Sequence, residues 1–140
     1  GVYILTLEEL SSYYKLKLLI EVLENELFEI RAKAYGAKTA VGFSDIPSGK
    51  AVSDKTGKYA SAITEKERKM SELYEEAEQK RAEILDYILF TVAQNDVVAA
   101  AVMHWRFIGC LEWFKVGQKT NMSGDAARKI CMRYIKNHKK

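Results

Sequence analysis

The sequence contains little proline, cysteine and histidine, and it has no long hydrophobic stretch. Pro47 is the only proline among 140 residues, so little in the chain opposes helix formation. Cys110 and Cys131 are too few for a disulfide framework and too far apart for a short metal-ligand pair, so we expect two reduced, packed thiols. No apolar run approaches the roughly 20 residues of a membrane-spanning helix. The N-terminal residues show no secretory signal, which predicts a cytoplasmic protein without membrane contact.

Residue groups that support catalysis are missing as well. His104 and His138 are the only histidines, and the chain has no Ser-His-Asp arrangement, nucleotide fingerprint or zinc-deaminase spacing. His104 lies beside Trp105 in an apolar segment, which favours a packed core position. Four glutamates cluster without a Glu-x-x-His motif, which favours a solvated face over a metal site: Glu72, Glu75, Glu76 and Glu78. We therefore predict that the protein is not an enzyme and uses no cofactor or metal.

Hydrophobic spacing predicts a long first helix over about 6–35. Thr6 and Glu9 have the spacing of a capping box, which marks its start. Apolar residues then recur at alternating intervals of three and four, the seam of a coiled coil: Tyr13, Leu16, Ile20, Leu23, Leu27, Ile30 and Ala34. Leu19 and Val22 are expected to widen this stripe.

A glycine-rich stretch, 36–57, predicts a loop, and a second long helix is expected from about 56 to 93. Its predicted apolar face consists of Tyr59, Ile63, Met70, Leu73, Ala77, Ile84, Tyr87 and Ile88. Because each apolar stripe needs a partner in order to leave water, we expect the two helices to form an antiparallel hairpin.

Three shorter helices are predicted after the hairpin. Asn95-Asp96 ends one helix and caps the next, which is almost wholly apolar up to Ile108. A short helix over 111–119 and a tight connection over 118–122 follow, and Ser123 is a good N-cap for a last helix ending near Asn137. The predicted fold is therefore all-α, with a helical hairpin in 1–94 and a helix-turn-helix element in 95–140.

The net charge of +3 is unevenly distributed along the chain. Residues 103–140 carry nine basic and two acidic side chains, which gives +7, whereas 1–102 carry 13 basic and 17 acidic side chains, which gives −4. A polyanion such as double-stranded DNA is therefore attracted to the C-terminal segment. A solvated basic tail without a partner would give the same charge pattern.

A DNA-reading helix must keep its bulky apolar residues inward and its small or polar residues outward. In the last helix, the inward positions are predicted to be Ala127, Ile130, Cys131 and Tyr134. Arg128 or Lys129 is placed to pair with guanine, Asp125 to accept from a cytosine amino group or to orient an arginine, and Arg133 to reach phosphate. The predicted DNA-binding residues are Ser123, Gly124, Asp125, Arg128, Lys129, Arg133 and Lys136.

Several short motifs of this region resemble the helix-turn-helix of sigma-factor region 4, and the resemblance is closest to phage regulators of the RinA and ArpU type. They are Trp105-Arg106-Phe107-Ile108, Leu111-Glu112-Trp113, Asp125-Ala126-Ala127-Arg128-Lys129-Ile130 and Arg133-Tyr134-Ile135. The segment 52–60 and the order of the helices are also similar to those regulators. Gly117 stands where the family motif usually has alanine, which predicts looser packing. The resemblance implies a phage or prophage transcriptional regulator in the bacterial host cell, typically an activator of late genes, with RNA polymerase as a partner.

A different function class also fits the sequence. Three-helix arrangements with basic surfaces occur in protein-docking modules, and the hairpin alone would suit a helical interaction or adaptor protein without specific DNA binding. The coiled-coil seam additionally suggests that the hairpin self-associates as a homo-oligomer.

Overall fold

A computed structural model describes residues 4–35 and 49–139, without the side chains of 49–56 and 58. Within these ranges 88% of the residues are helical and none is in a strand, which confirms the all-α class. The helices are α1 (Leu7–Leu10), α2 (Ser12–Tyr35), α3 (Gly49–Tyr87), α4 (Ala93–Asn95), α5 (Val97–Met103), α6 (Trp113–Thr120) and α7 (Gly124–Asn137). Two π-helical turns, Ile88–Val92 and His104–Ile108, follow α3 and α5. None of the helices in these ranges has the length and apolar character to cross a membrane.

The start of the first helix is as predicted, but the helix is not a single one. The Thr6 hydroxyl accepts from the Glu9 amide at 3.1 Å, and the Glu9 carboxylate accepts from the Thr6 amide at 3.0 Å. The chain then turns at Ser11, which separates α1 from α2. The Ser11 and Ser12 hydroxyls donate to the carbonyl oxygens of Leu7 and Glu9, and such back-bonding by serine bends or interrupts helices.

The loop predicted over 36–57 extends too far towards the C-terminus. Its part over 36–48 lies outside the described residues, whereas α3 already begins at Gly49, so the prediction of a loop over 49–57 is wrong. The stretch 49–57 contains no proline, and apart from Gly49 at the helix start its only glycine is Gly57. One interior glycine costs about 1 kcal/mol, which a helix of 39 residues tolerates.

The predicted junction after the second helix is confirmed. The helical path continues through the π-helical turn Ile88–Val92 and ends at Asn95. Asp96 has extended backbone angles, and its side chain accepts from the Ala99 amide at 3.0 Å, so it is the N-cap of α5.

Packing divides the chain into two compact units. One consists of the described residues of Gly1–Lys17 and Glu76–Lys140, and the other consists of those of Leu18–Glu75. The units meet at 17/18 and 75/76, whereas the predicted boundary lies between 94 and 95. That boundary separates the predicted DNA-binding element from the rest of the chain, and it stays a prediction.

The unit with the C-terminal helices has an extensive apolar core. Leu5 and Leu10 from the N-terminal segment pack there with residues of the later helices and π-helical turns. Its fully or nearly fully buried members include Ile84, Tyr87, Ile88, Val92, Ala99, Val102, Met103, Phe107, Val116, Ala127, Cys131 and Tyr134. Val97 and Val98 are exposed, so α5 is less enclosed than its apolar sequence predicts.

The other unit has a smaller core, formed by Leu27, Ala34 and Ile63 with Ile30, Tyr59 and Met70 against them. The predicted seam of α2 does face inward, but Leu19 and Val22 are exposed and do not widen it. Arg31 forms an ion pair with Glu67, and the Tyr74 hydroxyl donates to the Glu24 carboxylate at 2.6 Å. From the first pair to the second, the residue number falls from 31 to 24 in α2 and rises from 67 to 74 in α3. These two stretches therefore run in opposite directions.

Candidate nucleic-acid interface

Arg106, which lies in the second π-helical turn, contacts the segment that leads into α6. Its Nη1 donates to the Leu111 carbonyl at 3.0 Å, and its guanidinium lies 4.5 Å from the centre of the Trp113 ring. Cys110 supplies the sharp turn between them with a left-handed φ of 57°. Glu112 then takes the N-cap position of α6 with extended backbone angles, so the helix begins at Trp113, two residues later than predicted.

The connection between α6 and α7 is as short as predicted. Asn121 adopts left-handed angles, which end α6 after Thr120. The Met122 amide donates to the Gly117 carbonyl at 2.9 Å, and the Thr120 hydroxyl donates to the Val116 carbonyl at 2.8 Å. Asn121 lies within the connection predicted over 118–122, and asparagine after a helix is a recognised stop signal.

Gly117 makes this connection tight rather than loose. A Cβ at this position would lie 2.4 Å from the Met122 carbonyl oxygen and 2.8 Å from the Gly124 nitrogen. Both neighbours are backbone atoms, which cannot move aside as a flexible side chain would. The expectation of looser packing at Gly117 is therefore wrong, because the missing side chain is what lets the start of α7 approach α6.

The start and the inner face of α7 are as predicted. The Ser123 hydroxyl accepts from the Ala126 amide at 3.0 Å and caps the helix. Ala127, Cys131 and Tyr134 are buried, and Ile130 packs against the same core. The spacing of these residues fixes the rotation of α7 and leaves its opposite face to solvent.

Gly124 does not lie on that outward face. A Cβ there would meet backbone atoms of Trp113 and Phe114 at 2.9 Å, so this position faces the start of α6. The prediction that Gly124 points outward is therefore wrong. The pattern misled because glycine fits both an outward position and a close approach of two helices.

The remaining predicted residues of α7 form one exposed stripe, defined here as the basic stripe: Asp125, Arg128, Lys129, Arg133 and Lys136. Arg128 and Lys129 lie three and four residues after Asp125, and Arg133 and Lys136 continue from Lys129 at intervals of four and three, so the five share one side of the helix. Asp125 binds both of its neighbours on the stripe, with its carboxylate oxygens 3.0 Å from Lys129 Nζ and 3.1 Å from Arg128 Nη2. The Lys129 ammonium and then the Arg128 guanidinium hold the pKa of Asp125 below its usual range.

Other reactive groups of this unit are in packed or partnered positions. His104 is half-buried, with its ring edge-on to Trp105 at 5.1 Å between ring centres. Both cysteines are free thiols, and burial raises the pKa of each, that of Cys131 to about 12. Raised pKa values disfavour the thiolate, so neither cysteine has the properties of an activated nucleophile.

A pocket of about 460 Å³ lies beside the first turn of α6. Its lining combines apolar, acidic and basic side chains, namely Ser11, Tyr14, Arg106, Phe107, Cys110, Leu111, Glu112 and Lys115. Arg106 is already engaged with Leu111 and Trp113, and the other charged lining residues, Glu112 and Lys115, are of opposite sign. The described surface that best suits a charged macromolecule is therefore the basic stripe.

Known proteins supply no relative from which a function can be transferred. No family model, no curated protein and no solved structure matches this chain.

Proposed function

We propose that this protein is a DNA-binding transcriptional regulator of a phage or prophage, an activator of late genes that works in the bacterial cytoplasm. In this proposal α6, the turn at Asn121 and α7 form a helix-turn-helix like that of sigma-factor region 4. The residue motifs that resemble RinA and ArpU regulators support the assignment. The same resemblance implies RNA polymerase as a protein partner.

The single observation that carries the proposal is the two-sided character of α7. One side is anchored in the core by Ala127, Cys131 and Tyr134, and the other presents the exposed basic stripe. A helix that enters the major groove needs this combination, because its inner side must hold it rigidly while its outer side contacts bases and phosphates.

The expected docking places the first turns of α7 against base edges in the major groove. Arg128 or Lys129 donates to guanine O6 and N7, and Asp125 accepts from a cytosine amino group. Arg133 and Lys136 lie further along the stripe and neutralise backbone phosphates. Ser123 keeps its capping role at the helix start, where backbone N–H groups favour a phosphate.

Fluorescence anisotropy with random-sequence and phage promoter duplexes, at several salt concentrations, tests the proposal. We expect log K to fall linearly with log salt because binding releases counterions from the DNA. Arg128→Ala should weaken binding to the preferred fragment by about 1–3 kcal/mol and relax the preference at one base pair. Arg133→Ala should weaken binding to all sequences alike and reduce the salt slope by about one.

Lys69→Ala is the matched control, since Lys69 is an exposed basic residue of α3 outside the stripe. It should leave both affinity and salt slope close to those of the wild type. The proposal fails if the wild-type protein binds no duplex at low salt. The assignment of the reading face alone fails if Arg128→Ala binds every fragment as the wild type does.

A helical interaction protein is the second candidate function, and exposed aromatic residues in α2 favour it. Phe28 is 72% exposed and Tyr35 is 64% exposed, which is typical of surfaces that bind another protein. In that case a hairpin of α2 and α3 would be the binding element, and substitutions in the basic stripe would leave partner binding unchanged. Loss of partner binding in Arg128→Ala would count against this second function.

A further inference from the structure

The basic stripe contains a charge arrangement that reduces its own attraction for DNA. α7 has four basic residues and a single acidic one, Asp125. That one carboxylate pairs with two of the four cations, one oxygen binding Arg128 and the other binding Lys129. In the free protein, two of the four cations of α7 are therefore paired with the same single negative charge.

These ion pairs are weak enough to be exchanged for contacts with DNA. The side chains of Asp125 and Lys129 are each 60% exposed, and that of Arg128 is 46% exposed. Solvent screening makes such exposed pairs worth little, so Arg128 and Lys129 can turn towards a base or a phosphate at small cost. What cannot be exchanged easily is the negative charge of Asp125, which stays on the face that approaches the phosphate backbone.

From this arrangement we propose that Asp125 is a specificity-determining residue that penalises binding to unselected DNA; the inference rests on the proposed DNA-binding function. On a random sequence, the carboxylate competes with phosphates for Arg128 and Lys129 and repels the backbone. At a preferred site, a cytosine amino group donates to the carboxylate and replaces the cations that leave it. Asp125 thus lowers the affinity for other sequences more than it raises the affinity for the preferred site.

Asp125→Asn tests this inference, because it removes the charge and keeps the size of the side chain. We expect the affinity for a random-sequence duplex to rise about three- to tenfold at low salt, and the salt slope to steepen by about one to two, as two cations become free for phosphates. Selection from a random duplex library should yield, for the wild type, a preference for cytosine at one position that the variant lacks.

Asp86→Asn is the control, because Asp86 is an exposed aspartate of α3 and its substitution makes the same change in net charge. Its random-duplex affinity should change much less than that of Asp125→Asn. Asp125→Ala provides a second variant that also lacks the charge, and far-UV circular dichroism verifies that both variants remain folded.

The outcomes separate the inference from the function on which it rests. If neither the wild type nor Asp125→Asn binds the random duplex at low salt, the proposed DNA-binding function itself is wrong. If the wild type binds, but both Asp125 variants show the same or lower random-duplex affinity and an unchanged salt slope, DNA binding stands and the role of Asp125 is wrong. An equal rise in Asp86→Asn would also overturn it, since overall charge would then explain the effect.

Discussion

The two cysteines show how the position of a single residue in the core sets its chemistry. Cys131 lies on the inner side of α7 and is fully buried, whereas Cys110 is half-buried in the turn before α6. Burial in apolar surroundings favours the neutral thiol over the thiolate, and it raises the pKa of Cys131 to about 12. The function of Cys131 is therefore packing.

The raised pKa of Cys131 predicts a loss of stability at alkaline pH. An unfolded chain releases this proton near pH 8.5, whereas the folded chain keeps it up to about pH 12. The neutral thiol therefore makes its full contribution to the free energy of unfolding below about pH 8.5. This contribution is lost as the pH rises towards 12, at up to about 1.4 kcal/mol per pH unit. The stability advantage of the wild type over Cys131→Ala should therefore narrow across this range.

Urea unfolding followed by tryptophan fluorescence measures this difference, because Trp105 and Trp113 both belong to the unit that contains Cys131. Cys110→Ala is the matched control and should show a smaller dependence on pH, since Cys110 is less buried. A stability difference between the wild type and Cys131→Ala that stays constant from pH 8 to pH 12 would contradict the prediction.

At the scale of elements, close packing of α6 and α7 depends on glycines. Gly117 leaves room for the backbone of 122–124, and Gly124 leaves room for the backbone of Trp113 and Phe114. Gly57 differs from both, because a Cβ there would have no atom within 4 Å. The same residue type is thus required in one helix pair and dispensable in α3.

This difference predicts opposite effects of one substitution. Gly117→Ala should lower the free energy of unfolding by about 1–3 kcal/mol, because the new methyl group must displace backbone atoms. Gly57→Ala should raise it by up to about 1 kcal/mol, because alanine favours the helix and meets no neighbour. Urea unfolding followed by far-UV circular dichroism measures both, with tryptophan fluorescence as a second probe for Gly117→Ala. Equal effects of the two substitutions would show that backbone crowding does not set the packing of α6 on α7.

The elements that could be predicted from the sequence are those with local chemical signals. The capping residues Thr6, Asp96 and Ser123 mark three helix starts, and the inner positions of α7 follow from its periodicity. The π-helical turns were not predicted, because they depend on how neighbouring turns pack. The break at Ser11 was not predicted either, because serine hydroxyls also donate to preceding carbonyls inside helices that are only bent. The orientation of Gly124 was predicted wrongly because a residue without a side chain has no pattern that shows which way it faces.

The pairing of Asp125 with both Arg128 and Lys129 lies between these cases. Spacings of three and four residues made either pair foreseeable, and an arginine oriented by Asp125 was expected. Simultaneous pairing with both cations could not be predicted, because it depends on the rotamers of three exposed side chains. A count of the basic residues alone therefore overstates the number of unpaired cations that α7 presents.

At the scale of the whole molecule, only the unit with the C-terminal helices presents the basic stripe, although both compact units expose aromatic residues. Phe90 and Phe114 are exposed in the unit with the stripe, and Phe28 and Tyr35 are exposed on α2 in the other unit. Phe28 and Tyr35 are seven residues apart, which is about two helical turns, so they lie on one side of α2. With Leu27 and Met70 they line an open groove of about 480 Å³, which Glu24 and Arg31 also line. A single helix-turn-helix contacts a short stretch of DNA, so a second copy joined through this surface would double the contacted length and raise avidity.

We therefore predict self-association through the aromatic side of α2. Burial of each large aromatic side chain contributes about 1.5–3 kcal/mol, so the wild type should form dimers at high micromolar concentration in sedimentation velocity. Phe28→Asp should shift the protein to a monomer and weaken binding to a DNA fragment that carries two sites more than to one that carries a single site. Val97→Asp is the control, because Val97 is also 72% exposed but belongs to the other unit, and it should leave the dimer intact. A wild-type protein that stays monomeric at these concentrations would rule out self-association. If Val97→Asp dissociates the dimer and Phe28→Asp does not, the contact lies on the unit with the C-terminal helices and the predicted surface is wrong.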